Sequence, residues 1–193
     1  MRELIAAFKI SADGRIEGSQ GYADWVDGWS DDYGLTAQVD ACVLGGRMYP
    51  GYEQYWTRIQ HHPDEVHPQS GSVPTASEVE WAKATTALPH YVVSKSLTSA
   101  EWPNTRFLRG LDDVEALKHE EGKDIYLMGG ARITAAAMDA GLVDELRLIV
   151  YPLLAGEGTA LFATSTQRRP LELRSSDRWP DGRLSLVYRV AGA

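Results

Sequence analysis

Between Asp124 and Gly141 the chain reads DIYLMGGARITAAAMDAG, an apolar run that meets a glycine pair and then an alanine-rich stretch. Ile125, Tyr126, Leu127 and Met128 make a run short enough for a buried strand, while Ala131–Ala140 has helical composition and Gly141 stands where a helix would end. Gly129 and Gly130 sit at the joint. Glycines at a strand-to-helix turn remove the Cβ atoms that would hold a ligand off the backbone, so free amides at the helix start can face a phosphate. The spacing is GGxR and not GxGxxG, so taken alone a tight turn closing a buried strand explains the stretch equally well.

The same grammar occurs a second time. Ala41–Leu44 ends in Gly45-Gly46, followed by Arg47 and the aromatic segment Met48–Trp56, which predicts another strand, glycine pair and helix. Leu4–Ile10 reads as a central strand running into the turn Ser11-Ala12-Asp13-Gly14. His90–Ser94 is a further strand, with Ser94, Lys95 and Ser96 at its carboxyl end. Asp31–Val39 fits a short helix with Asp at its start, and a capping box of Ser77 with Glu80 starts one that runs to about Ala87, before Pro89. Arg106–Leu108 fits a short strand and Asp112–Glu121 a helix with an acidic start. After the opening stretch come a strand over Asp144–Pro152 and a hairpin, Leu171–Ser176 with Leu184–Val190, around Trp179-Pro180-Asp181-Gly182.

Strands alternating with helices and then yielding to a hairpin predict an α/β fold, a mostly parallel sheet with helices on both faces and a C-terminal antiparallel hairpin. Ligands of such sheets bind beyond the carboxyl ends of the strands. Asp13, Gly45-Gly46-Arg47, Ser94-Lys95 and Gly129-Gly130 all fall there. The loop between Gly18 and Gly34 holds Tyr22, Trp25, Trp29 and Tyr33, which can roof a flat ligand or, more commonly for such residues, pack the loop onto its own core. Arg58–Pro74 reads as a surface insertion; its His61, His62 and His67 have no HxxxH face and no nearby cysteine, so no metal site is expected.

With 193 residues, 44% hydrophobic and 24% charged, the chain suits one soluble domain spanning 1–193. A net charge of −8 argues against a nucleic-acid surface, which needs clustered Lys and Arg. Cys42 is the single cysteine and sits among apolar neighbours, which points to a buried thiol. No secretory signal or 18-residue apolar run is visible, so a cytoplasmic setting without membrane contact is expected. Hydrolase and kinase readings lack their GxSxG and GxxxxGK loops.

Six segments together resemble a known family: Ser11–Gly14, Leu44–Tyr49, Tyr91–Lys95, Ile125–Arg132, Gly141–Leu146 and Pro152–Gly158. They are similar, in order, to the dihydrofolate reductase-like fold, in the branch of the riboflavin-biosynthesis reductase C-terminal domain, over roughly Leu4 to Val190. The resemblance implies NADPH at the sheet edge, its pyrophosphate on Gly129, Gly130, Ala131, Arg132 and Ile133, with Gly45, Gly46, Arg47, Ser94 and Lys95 completing the site. Hydride would pass to a flat heterocycle, a small-molecule substrate. It also implies a cis peptide between Gly129 and Gly130. Where the family often places an arginine after the first glycine of its second turn, this chain has Gly46, and Met48 replaces an expected threonine; phosphate recognition then rests on Arg47 and Lys95. Proton delivery would fall to water or to a carboxylate from Asp13, Asp31 or Asp32, although Asp31 and Asp32 equally suit a helix N-cap. Reduction of a phosphoribosylaminopyrimidine, reduction of dihydrofolate and a non-catalytic nucleotide-binding module stay open. The apolar alternation of Leu171–Val190 suggests an edge that pairs two copies into a homodimer.

Overall fold

The computed structural model describes residues 1–26, 28–29 and 31–192. Eight strands form one sheet: β1 (Leu4–Ser11), β2 (Val39–Gly45), β3 (His90–Val93), β4 (Thr105–Leu108), β5 (Asp124–Gly129), β6 (Glu145–Tyr151), β7 (Leu171–Arg178) and β8 (Leu184–Val190). Their order is β4-β3-β2-β5-β1-β6-β8-β7. The first six in that order pair in parallel, and β8 runs antiparallel to both β6 and β7. Parallel strands covered on both faces need apolar residues at nearly every position, and LIAAFKIS in β1 and DIYLMG in β5 supply them.

Four helices complete three layers. On one face α1 (Tyr49–His61) and α2 (Ala76–Thr85) bring Trp56, Ile59, Trp81 and Ala82 against Ile5, Ala7, Cys42 and Leu44. On the other, α3 (Leu111–Lys118) and α4 (Ala131–Asp139) bring Val114, Leu117, Ala137 and Met138 against Leu4, Ala6 and Leu127. The α/β architecture expected from the alternation is therefore the one observed. Cys42 is fully buried, and that burial pushes its thiol up to about 12. None of the described helices is long and apolar enough to cross a membrane.

Three local expectations need correction. Asp31–Val39 is a pair of turns and not a helix: the Asp31 carboxylate accepts the amides of Leu35 at 2.9 Å and Thr36 at 3.2 Å, and Gly34 has φ +67°. Side-chain bonds of this kind offer the backbone an alternative to helix. The capping box of α2 is Thr75 with Glu78, two residues earlier than Ser77 with Glu80. That register wins because Glu78 is buried and also accepts Trp29 N at 3.3 Å and the Tyr55 hydroxyl at 3.2 Å, whereas Glu80 is exposed. The insertion begins later than Arg58, since α1 continues through His61; within it His62 pairs with Glu65 at 2.9 Å, and His67 is buried with its ring 4.2 Å from that of Tyr55.

His90, at the start of β3, is 1% exposed. Its Nδ1 donates to Leu88 O at 2.8 Å, leaving Nε2 to accept from the Thr85 hydroxyl at 3.3 Å. Burial pulls its pKa from 6.5 to about 4. Between those values the unfolded chain binds more protons than the folded one, so stability falls as pH drops from 6.5 towards 4 and is fully present above 6.5. The expected loss is on the order of 3 kcal/mol. Urea titrations across this window should show it, and His90→Asn should flatten the slope; an equal slope in the variant would remove His90 as its source.

Candidate active site

Inserting β5 between β2 and β1 makes the chain leave β2 towards β3 on one side and β5 towards β6 on the other. At such a reversal the loops beyond the strand ends diverge and open a crevice. Gly129 enters it with φ +136°, in close approach: a Cβ there would lie 3.2 Å from Met48 Sδ and 3.3 Å from Phe8 Cε1. The Gly129–Gly130 peptide is cis, as the resemblance implied. Gly130 then starts α4 as its N-cap in an ordinary extended conformation, with no side-chain cap bond. A Cβ on Gly130 would meet nothing within 4 Å. The first intrahelical bond is Thr134 N to Gly130 O at 3.1 Å, so the amides of Ala131, Arg132 and Ile133 precede the helix ladder.

The other glycine pair closes on this one. A Cβ on Gly45 would lie 3.2 Å from Ile133 Cγ2, and one on Gly46 only 2.6 Å from the Cβ of Ser94, so the turns after β2 and β3 touch through the missing side chain. The turn after β3 is fixed by Ser94 Oγ, which accepts the amides of Ser96 and Leu97, and by Arg109, which donates to Ser94 O and Leu97 O at 2.7 and 2.9 Å. Arg47, Lys95 and Arg132 project from the same rim and are exposed. Gly45, Gly46, Arg47, Ser94, Lys95 and Gly129–Ile133 thus share one rim, with free helix-start amides and exposed cations that suit an anion.

A cavity of about 500 Å³ lies elsewhere, beyond the ends of β1 and β6, and none of those rim residues lines it. Its wall includes Lys9, Trp25, Trp29, Thr75, Tyr151 and Arg183. Trp29 stacks on Trp81 with centroids 4.5 Å apart and meets Trp56 edge-on at 6.3 Å, so the aromatic loop both packs onto the core and faces the cavity. Asp32 bridges the two cations: Lys9 Nζ is 2.8 Å and Arg183 Nη1 3.3 Å from its Oδ2. Arg183 also pairs with Asp181 at 2.7 Å, and its guanidinium lies 4.2 Å from the Trp179 ring centroid.

The two candidate carboxylates are therefore placed in different settings. Asp13 accepts from Ser11 Oγ at 2.6 Å and from the amides of Ala155 and Gly156, fastening that loop to the end of β1. The Ser11 hydroxyl and the Ala155 amide hold its carboxyl at about 2, deprotonated at neutral pH. Asp31 serves its own turn. Lys9, Tyr151 and Arg183 were not singled out in the sequence; the lysine inside LIAAFKIS, an otherwise apolar strand, was the available signal.

A model of the RibD C-terminal domain family matches residues 2–184. The chain is 31% identical over 197 residues to the uncharacterized protein YyaP of Bacillus subtilis (strain 168), covering 99% of this chain and 96% of that one. Among solved structures, a protein from Shewanella sp. PV-4 described as a riboflavin biosynthesis protein superposes with TM-score 0.71 at 19% identity, covering 97% of this chain and 98% of that one. Dihydrofolate reductase from Enterococcus faecalis, solved with NADP(H) and RAB-propyl, superposes with TM-score 0.61 at 13% identity, covering 98% and 96%. These two share the fold.

Proposed function

Because the chain belongs to the RibD C-terminal domain family and shares its fold with a dihydrofolate reductase, we propose that it is an NADPH-dependent reductase of a small planar heterocycle, of the kind reduced in riboflavin synthesis. The observation that carries this reading is the start of α4 at Gly130, which no side chain caps, with open space on the Cβ side of Gly130 and Gly45 packed against Ile133 of the same helix. The fit to a dinucleotide is good: the missing Cβ on Gly130 leaves room for a pyrophosphate, and Ala131, Arg132 and Ile133 can donate to it. Arg47 and Lys95 would hold the 2′-phosphate. When bound, the cofactor supplies the hydride. The protein's part is orientation and exclusion of water, with Trp29 closing one wall of the cavity beyond β1 and β6 and the Asp32–Lys9–Arg183 network fixing another. Asp13, ionised and fully engaged by Ser11 and the 155–156 loop, holds that loop in place and leaves the proton to solvent.

Titration with NADPH and NADH tests the proposal. NADPH should bind more tightly, and Arg47→Ala and Lys95→Ala should each weaken it about tenfold, the lower end for charge-assisted contacts at exposed sites, while NADH affinity stays put. Equal affinity for both cofactors in the unaltered protein would sink the 2′-phosphate assignment. Absence of binding by either cofactor would sink the reductase.

The same reading carries a homodimer. β7 is the edge of the sheet and exposed along its whole length, with Leu171 and Leu173 at 41% and 52% exposure. An open strand edge with apolar side chains is a pairing surface. Sedimentation at micromolar concentration should give twice the chain mass, and a monomer there would refute it.

A further inference from the structure

We infer that Arg109 grips the 2′-phosphate of bound NADPH through the Nε–Nη2 edge of its guanidinium, and so sets the preference for NADPH over NADH. The inference rests on the reductase reading only for the identity of the cofactor; the residue and the anion it takes are argued from the turn after β3.

Arg109 follows β4, and its guanidinium reaches back over the turn after β3. Nη1 donates to Ser94 O at 2.7 Å and to Leu97 O at 2.9 Å, which uses both of its N–H groups. The turn is closed from within by Ser94 Oγ on the amides of Ser96 and Leu97, and Ser94 N donates to Leu108 O at 2.9 Å. Cζ lies 6.0 Å from the Phe107 ring centroid, so ring and turn together hold the guanidinium. Its anchors are neutral. Arg183, Arg147 and Arg58 are held by carboxylates that also offset their charge, whereas Arg109 is held by two carbonyls. Asp113 takes the Arg109 amide at 2.6 Å, and among the described residues no ion pair involves the guanidinium.

Nε and Nη2 therefore keep their N–H groups at an exposed position, with one from each lying parallel along a single edge. That fork matches two oxygens of a phosphate monoester. It is set before the ligand arrives, so the ordering that a freely rotating cation undergoes on binding is already complete in the fold. Position selects which phosphate it meets. Ser94 and Leu97 follow β3, which stands two strands from β5 in the sheet, on the order of 10 Å across. The fork thus stands off the start of α4 and its pyrophosphate, on the side where Gly46 packs against Ser94 and where Arg47 and Lys95 are exposed. Those two supply charge on flexible stems; Arg109 supplies charge with a fixed direction.

Calorimetric titration of the whole chain with adenosine 2′,5′-bisphosphate and adenosine 5′-monophosphate tests this, since the two differ by the 2′-phosphate alone. The unaltered protein should hold the bisphosphate well over tenfold more tightly, and Arg109→Ala should lower that ratio about tenfold while affinity for the monophosphate stays put. Arg109→Lys separates gripping from bracing. Its ammonium keeps the charge and can still bond the two carbonyls, but it has no fork left for a phosphate, so the ratio should fall nearly as far as with alanine. This second variant also carries the test should alanine loosen the turn, which would weaken both ligands alike. The inference is overturned if the unaltered protein holds the two nucleotides equally or holds neither, or if the ratio survives in folded Arg109→Lys protein. In that last case Arg109 only braces the turn, and the cofactor reading stands on Arg47 and Lys95. Binding is read without turnover. The expected ratios with no oxidation of NADPH on any heterocycle would therefore uphold Arg109 and remove the reductase alone.

Discussion

Lys118→Met should lower the free energy of unfolding by about 3–5 kcal/mol, the cost of stranding a buried charge. Lys118 and Asp144 are each 4% exposed, with Nζ 2.7 Å from Oδ2. Neither is paired only to the other: Lys118 donates to Leu142 O at 2.6 Å, and Asp144 accepts the Leu4 amide at 2.7 Å. One ion pair therefore ties the end of α3, the first residue of β1 and the entry to β6. Methionine keeps the volume but leaves the Asp144 carboxylate buried without a counter-ion, so the loss is electrostatic and not a cavity. Adding Asp144→Asn in the same chain should recover a substantial part, because the uncompensated charge is gone while an acceptor for Leu4 N is kept. Urea denaturation of the single and double variants measures both. A single-variant loss below about 1 kcal/mol would show that the pair is solvated in a way its burial denies.

Gly130→Trp should abolish NADPH binding, a loss of at least about a thousandfold, or 4 kcal/mol, while the protein melts close to its usual temperature. Room is the reason for both halves. Gly130 has φ −77°, a conformation open to any residue, and its Cβ direction is empty to 4 Å. An indole there costs the fold little and occupies the space in front of the Ala131, Arg132 and Ile133 amides. Gly46 is the instructive contrast, since even one methyl group would collide with Ser94 at 2.6 Å and force the two turns apart. Unchanged NADPH affinity in folded Gly130→Trp protein would move the pyrophosphate off α4.

The architecture was legible because its strands are covered twice. DIYLMG and LIAAFKIS must be almost wholly apolar to lie in the middle of a parallel sheet, and runs of that length can be little else. The glycine rim was legible for a related reason, in that each glycine pair follows such a run directly. What lies off the runs was harder to read. PTASEVE holds two capping boxes in overlapping frames, and only the burial of Glu78 against Tyr55 and the loop at Trp29 selects the first. Asp31 offered the same pattern for a helix start as for the side-chain-bonded turn it makes. The cavity had no local signature at all: Lys9, Asp32 and Arg183 come from three distant parts of the chain, and nothing in their spacing announces that one carboxylate will hold both cations.

The strand order also dictates when this protein can fold during its own synthesis. β1 is the first strand to leave the ribosome, yet both of its neighbours are late: it pairs with β5 at Ile125–Leu127 and with β6 at Glu145–Tyr151. β2 likewise waits for β5 on one side, having only β3 to pair with before that. Until nearly two-thirds of the chain has emerged, an apolar β1 has no partner on either edge, and the early fragment can offer only β2, β3 and β4 as a ribbon with α1 and α2 on one face and α3 on the other. Translation at ~5–20 residues per second leaves such a segment unpaired for several seconds. A ribosome stalled with residues 1–120 exposed should therefore carry a chain that chaperones bind through Leu4–Ile10, and release should coincide with the emergence of Tyr151.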